Sequence, residues 1–157
     1  MTQRSPPGPG SISGARSWPA DGPATLRELE GATSSAAPGS AELAAARVIE
    51  SFARLSLGDL DGAWSAATEA QSADPQAWGH QYTSVAMTNL ALVAQLRGEL
   101  SPAPQIAGDA VGRVDRSPGR LGHRDPVLAA RGLILLELDR LDEARSETAG
   151  LIPPART

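Results

Sequence analysis

From residue 40 onward, apolar positions recur at helical spacing, and the helical stretches are separated by short polar breaks. A first helix is predicted over 40–57, with Ser40 as N-cap and Glu42 and Leu43 just inside. Leu43, Ala46, Arg47, Glu50, Ala53, Arg54 and Leu57 fall on helical spacings, and Val48, Ile49, Phe52 and Leu55 make the better buried stripe. A second helix follows over 61–72, with Trp64, Ala67 and Ala70 on one face, and Asp74-Pro75 closes it. A third is predicted over 75–97, with Tyr82, Val85, Ala86, Leu90, Val93, Ala94 and Leu96 as its stripe. A fourth runs from Ser101 as N-cap and Pro102 in the first turn to about Val114. A fifth over 126–138 is the most apolar, and a sixth starts near Leu141 and fails by Gly150, before Pro153-Pro154.

One turn joins the members of each pair. Gly58-Asp59-Leu60-Asp61-Gly62-Ala63 recurs as Gly98-Glu99-Leu100-Ser101-Pro102-Ala103 and as Asp139-Arg140-Leu141-Asp142-Glu143-Ala144. The central leucines are 40 and 41 residues apart, a period that marks a helical-repeat array. Gly58 and Gly98 suit a helix stop, because glycine takes the left-handed conformation without steric cost. Ala63, Ala103 and Ala144 are expected to be buried at helix crossings.

Residues 1–39 break the pattern. Ser5-Pro6-Pro7-Gly8-Pro9-Gly10 opens a stretch rich in Pro, Gly, Ser and Ala, which has too little apolar surface to offset its ordering entropy. Only 25–30 suggest a helical turn, so the segment is expected to be disordered and removable. Three domains result: a disordered segment 1–39, a helical-repeat domain 40–152 and a tail 153–157.

Composition narrows the chemistry. With no cysteine in the chain, disulfides, thiolate nucleophiles and thiolate metal sites are excluded. All 14 basic residues are arginine. The net charge of −4 lies after residue 39, because Arg4, Arg16 and Arg27 balance Asp21, Glu28 and Glu30. An acidic repeat body argues against direct nucleic-acid binding. No apolar run approaches the roughly 20 residues of a membrane span, and no export signal opens the chain, so a cytoplasmic location is expected.

The turns resemble the tetratricopeptide repeat. In that family Gly-Asp joins two helices, a small Ala follows in the second, and Asp-Pro closes the unit. Gly58, Asp59, Ala63, Ala67, Ala70, Asp74 and Pro75 match in register, as do Gly98, Ala103, Ala107 and Ala110, and then Gly132 and Ala144. Asp139 departs from the pattern where glycine is usual, and the period exceeds the family's ~34 residues. Longer units of this kind resemble the C-terminal sensor arrays of large ATP-binding LuxR-type transcriptional regulators. The resemblance implies an all-α fold of antiparallel helix pairs, stacked as an α-solenoid of about three repeats. It also implies a non-enzymatic module that senses an effector or binds a protein or peptide. No phosphate-binding Gly-x-x-x-x-Gly-Lys loop is present and no lysine to make one, so the resemblance reads the chain as a fragment of such a regulator.

Arg113, Arg116, Arg120 and Arg124, with His123, concentrate positive charge in one loop. Arg116, Arg120, His123 and Arg124 are the candidate anion or partner contacts, since guanidinium forks suit carboxylate and phosphate. The plainer reading pairs these arginines with Asp109, Asp115 and Asp125. His80 and His123 lie in different repeats without ligand spacing, so neither a metal nor a cofactor is expected. The acids Asp59, Asp61, Asp139, Asp142 and Glu143 sit at helix starts and read as caps rather than catalysts. No serine has the setting of a nucleophile. The competing readings are an anion-binding or enzymatic domain built on the arginine loop, and a truncated reading frame without selected function. Leu133 and Leu136 are expected to stay exposed, because the short last helix cannot cover the fifth, and this favours self-association.

Overall fold

The structure, a computed structural model, describes residues 22–72, 80–116, 124–149 and 151. In these the chain forms seven helices and no strand: α1 (Gly22–Ser35), α2 (Ala41–Ser56), α3 (Leu60–Gln71), α4 (His80–Leu96), α5 (Pro102–Asp115), α6 (Arg124–Glu137) and α7 (Leu141–Thr148). The fold is all-α, and no described helix is long and apolar enough to cross a membrane.

One backbone motif ends α2, α4 and α6. Gly58, Gly98 and Asp139 all take positive φ, at 78°, 77° and 57°. In each case the following N–H reaches back to a carbonyl five residues earlier: Asp59 to Arg54 at 3.0 Å, Glu99 to Ala94 at 2.9 Å and Arg140 to Leu135 at 2.9 Å. The N–H of the left-handed residue itself bonds three residues back, to Leu55, Gln95 and Leu136. This is the Schellman arrangement, which satisfies carbonyls that the helix end would otherwise orphan. Asp139 adopts it without glycine's freedom.

The turn sets up the packing beyond it. Ala63, Ala103 and Ala144 are all buried, as the sequence spacing requires. Nine residues before each central leucine stand Ser51, Ala91 and Gly132, also small and buried. Ser51 Oγ donates to the Ala63 carbonyl at 2.8 Å, so the first crossing is bonded as well as packed. At the third crossing, a Cβ on Gly132 would stand 2.5 Å from Thr148 Cγ2.

Each helix packs on the next along the chain, and α4 also touches both α2 and α6. Between α4, α5 and α6 the core holds Met87, Ala110, Val111, Val114, Val127 and Leu128, with Ala91, Ala94, Ala103, Ala107 and Ile134 beside them. Between α2, α3 and α4 it thins to Val48, Ala70 and Ala86. Trp64 is half-buried against the alanine cluster of the second pair, a core filler as its spacing indicated.

Four expectations are corrected. Residues 22–35 are helical rather than disordered, and α1 lies on α2, with Thr25 buried and Gly22 against the Leu57 side chain. A packing partner supplies what composition alone withheld, so a deletion ending at 38 takes a helix that covers α2. Of the predicted stripe of α2, Val48 is buried and Phe52 and Leu55 are half-buried, but Ile49 turns outward. Ile49 is 39% exposed, whereas Ala46, Glu50 and Ala53 are buried, because α2 is flanked by α1, α3 and α4. Ser101 makes no side-chain cap bond and is itself helical in φ and ψ. Finally, α6 starts at Arg124, so Arg124 and Asp125 belong to its first turn rather than to the loop. The stretch 75–79 of the predicted third helix and Trp78 lie outside the described residues, as do 1–21 and 152–157.

Replacing Asp139 by Gly removes the steric cost of its left-handed backbone, so D139G should gain about 1 kcal/mol in chemical denaturation. Gly58→Ala, at the same position of the first turn, should lose about as much. Gly132→Ala should destabilise by about 1–3 kcal/mol through collision with Thr148. Adding Thr148→Ser deletes the colliding methyl while keeping the hydroxyl bond to Ala144, and should restore stability to the parent value or above.

Candidate functional site

The arginine loop proposed from sequence is only partly within the described residues: Arg120 and His123 lie outside them. Arg116, at the end of α5, is exposed, and its guanidinium lies over Gly112 on the preceding turn. Arg124, in the first turn of α6, gives its Nε to Asp115 Oδ1 at 2.9 Å. That ion pair joins the two ends of the segment and occupies one of the four candidate contacts with an internal acid.

A denser charge cluster lies on α2. Glu50 is buried and accepts from Arg47 Nη1 at 2.5 Å and from Arg54 Nε at 2.8 Å. Arg54 continues to Asp59 Oδ2 at 2.7 Å, and Arg47 pairs with Glu69 of α3 at 2.8 Å. A carboxylate is tolerated at this depth only when its oxygens are bonded to cations. The sequence offered a signal for this cluster: Arg47, Glu50 and Arg54 are three and four residues apart, the spacing of helix neighbours. Their charge argued against burial, and the larger apolar residues beside them drew attention away from this face.

Asp59 is also the N-cap of α3, accepting from the Gly62 N–H at 3.0 Å. That N–H, and then the Arg54 guanidinium, hold its carboxyl below the usual range. Arg54 is raised in turn, first by Asp59 and then by Glu50. At the third turn, two hydrogen bonds from Arg140, at 2.7 and 2.6 Å, lower Glu143. These acids serve the turns, as their positions at helix starts indicated.

Between the first two units, Arg97 stands over the Trp64 ring at 5.2 Å from its centroid and pairs with Asp61. It joins the end of α4 to the start of α3 by cation–π and charge contacts together. A hollow of about 190 Å³ lies among Pro38, Gly39, Ser40, Leu43, Arg47 and Glu69. Small-molecule sites run to roughly 300–1,000 Å³, and the arginine on its wall is already committed to Glu50 and Glu69. Among the described residues no group of three or more His, Asp or Glu is arranged to hold a metal ion.

The surface that stands out is apolar. Leu133 and Leu136 are 58% and 51% exposed on α6, beside exposed Pro126 and Ala129. The same register positions of the earlier helices are covered: Val48, Phe52 and Leu55 in α2, and Thr88, Leu92 and Gln95 in α4, are buried or half-buried. Comparison of the chain with known protein families, curated proteins and solved structures finds no match.

Because Asp59 and Glu143 titrate lower when folded, the hydrogen bonds that hold them charged, from the Gly62 N–H and Arg54 to Asp59 and from Arg140 to Glu143, contribute fully above the unfolded carboxylate pKa. That contribution is lost as pH falls through the folded values. Carboxyl NMR titration should place both midpoints below the ordinary carboxylate range, and Arg54→Met should move the Asp59 midpoint up.

Proposed function

We propose that this chain is a non-enzymatic interaction module, a tetratricopeptide-like stack of three antiparallel helix pairs that holds a protein, peptide or effector. The pairs are α2–α3, α4–α5 and α6–α7. The observation that carries this reading is the threefold recurrence of one helix stop, with a small residue buried at the same offset after it. The contacts of α4 with both α2 and α6 support a stack in chain order, with these three helices lining one face. Such a stack presents an extended surface assembled from several repeats. Function then follows by analogy of fold rather than from a catalytic constellation. Within this reading, the module belongs with the sensor arrays of LuxR-type transcriptional regulators and works in the cytoplasm on protein or peptide partners, without direct contact to nucleic acid.

Selection from a random peptide display library, followed by hydrogen exchange on the complexes, tests the reading. The expected result is saturable binding in which amides of α2, α4 and α6 gain protection while α1 does not. Failure to enrich any saturably binding peptide would overturn it. Saturable NMR shifts at Arg116 and Arg124 on titration with inorganic phosphate would transfer the function to the arginine loop instead.

A further inference from the structure

We propose that the outer face of α6 docks a cationic amphipathic helix supplied by a partner protein. The proposal rests on the interaction-module reading and specifies the partner's chemistry.

The face has the form of a helix-binding seam. Pro126, Ala129, Leu133 and Leu136 recur at alternating spacings of three and four and lie on one side of α6, all exposed. The chain itself shows what covers this register. Val48 of α2 shares one buried cluster with Ala70 of α3 and Ala86 of α4, and Leu92 of α4 packs against the cluster that holds Ile134 of α6. In both units the cover includes a helix whose small or aliphatic residues meet the seam. An occupant of the α6 seam with the same form is a helix carrying an apolar stripe.

Charge settles which helix. Asp125 borders one edge of the seam and Glu137 the other, with Asp139 just past its end, and all are exposed. Among the described residues these three acids form no ion pair, whereas Arg124, Arg131, Arg140 and Arg145 are each paired to an acid, with Asp115, Glu147, Glu143 and Asp142. Within the described residues of α6, α7 and the turn between them, the charge left without an ion pair is therefore negative. A second copy of the chain fits poorly. Antiparallel pairing of two α6 seams brings Asp125 of each copy toward the Glu137–Asp139 end of the other, and parallel pairing sets each acid against its twin. Like charges across an interface select against that partner, and lysine or arginine on both borders of the incoming helix removes the conflict.

The test uses a synthetic amphipathic helix of about 18 residues, with Leu and Ala at seam spacing and Lys on both borders, against the same peptide with Glu for Lys. Fluorescence anisotropy should show saturable binding of the lysine peptide, weakened by added salt, with the glutamate peptide at least about tenfold weaker. The double variant Leu133→Ser, Leu136→Ser leaves charge unchanged and should lose about tenfold or more in affinity. Asp125→Lys with Glu137→Lys should reverse the preference between peptides. All four positions are exposed, and circular dichroism checks that the helices persist. Equal binding of both peptides, no binding of the lysine peptide, or indifference to the serine variant would overturn the proposal. Sedimentation that shows a dimer abolished by the serine variant would assign the seam to a second copy. If display-selected peptides bind α2 and α4 while the lysine peptide fails, this proposal falls and the module reading stands.

Discussion

The turns after α2, α4 and α6 each depend on one residue held in the left-handed region. That conformation lets the next two N–H groups fold back onto the last turn of the helix, so the chain leaves at a fixed angle. The angle brings Ala63, Ala103 and Ala144 to their buried positions. Were the turn looser, a small side chain would gain nothing at that place. The geometry of the turn thus precedes the packing, and the side chains at the crossings have the size it permits. Asp139 shows how firmly this holds: the third turn keeps the shape although its residue is not the one that favours it.

Electrostatics reinforce the same junctions. The Glu50 carboxylate sits between two arginines on α2, and one of these continues to the cap of α3 while the other reaches Glu69. The cluster spans the first helix pair at both ends of their contact. Arg97 repeats the device between units through Trp64 and Asp61. The charged groups so committed hold helices together, and the arginine loop is partly drawn in by Asp115. On α6, by contrast, Leu133 and Leu136 stay exposed between the exposed acids Asp125 and Glu137. The two helices differ in their cover: α1 packs on α2, whereas nothing among the described residues covers the outer side of α6.

The helices were legible in the sequence where punctuation was strong. Gly58, Gly98 and the period of the leucines located the turns, and Ser40 capped α2 as its position indicated, accepting from the Leu43 N–H at 3.2 Å. Exposure of Leu133 and Leu136 followed from the shortness of α7. The helix α1 was not legible, since its stripe is weak and its stability comes from contact with α2 rather than from its own residues. The extent of the buried face of α2 was underread for a related reason. Residue size suggested Ile49, but the neighbours on three sides favoured alanines and a neutralised glutamate. Of the candidate site, sequence pattern identified the charges and offered Asp115 as a partner for the loop arginines, as Arg124 shows, but not the links from Arg47 to Glu69 and from Arg97 to Asp61, which depend on helices brought together by the fold.

The alanine crossings carry a thermal consequence. Among the described residues most fully buried positions are methyl-sized, and Ile134, Leu135, Val93 and Val127 are the largest apolar side chains wholly enclosed. Unfolding such a molecule uncovers little hydrocarbon for its length, so its heat-capacity increment is small. A small increment flattens the curve of free energy against temperature: the protein neither gains much on mild cooling nor collapses abruptly on warming. Its stability rests on closely apposed backbones, which tolerate a change of temperature better than a change of side-chain volume.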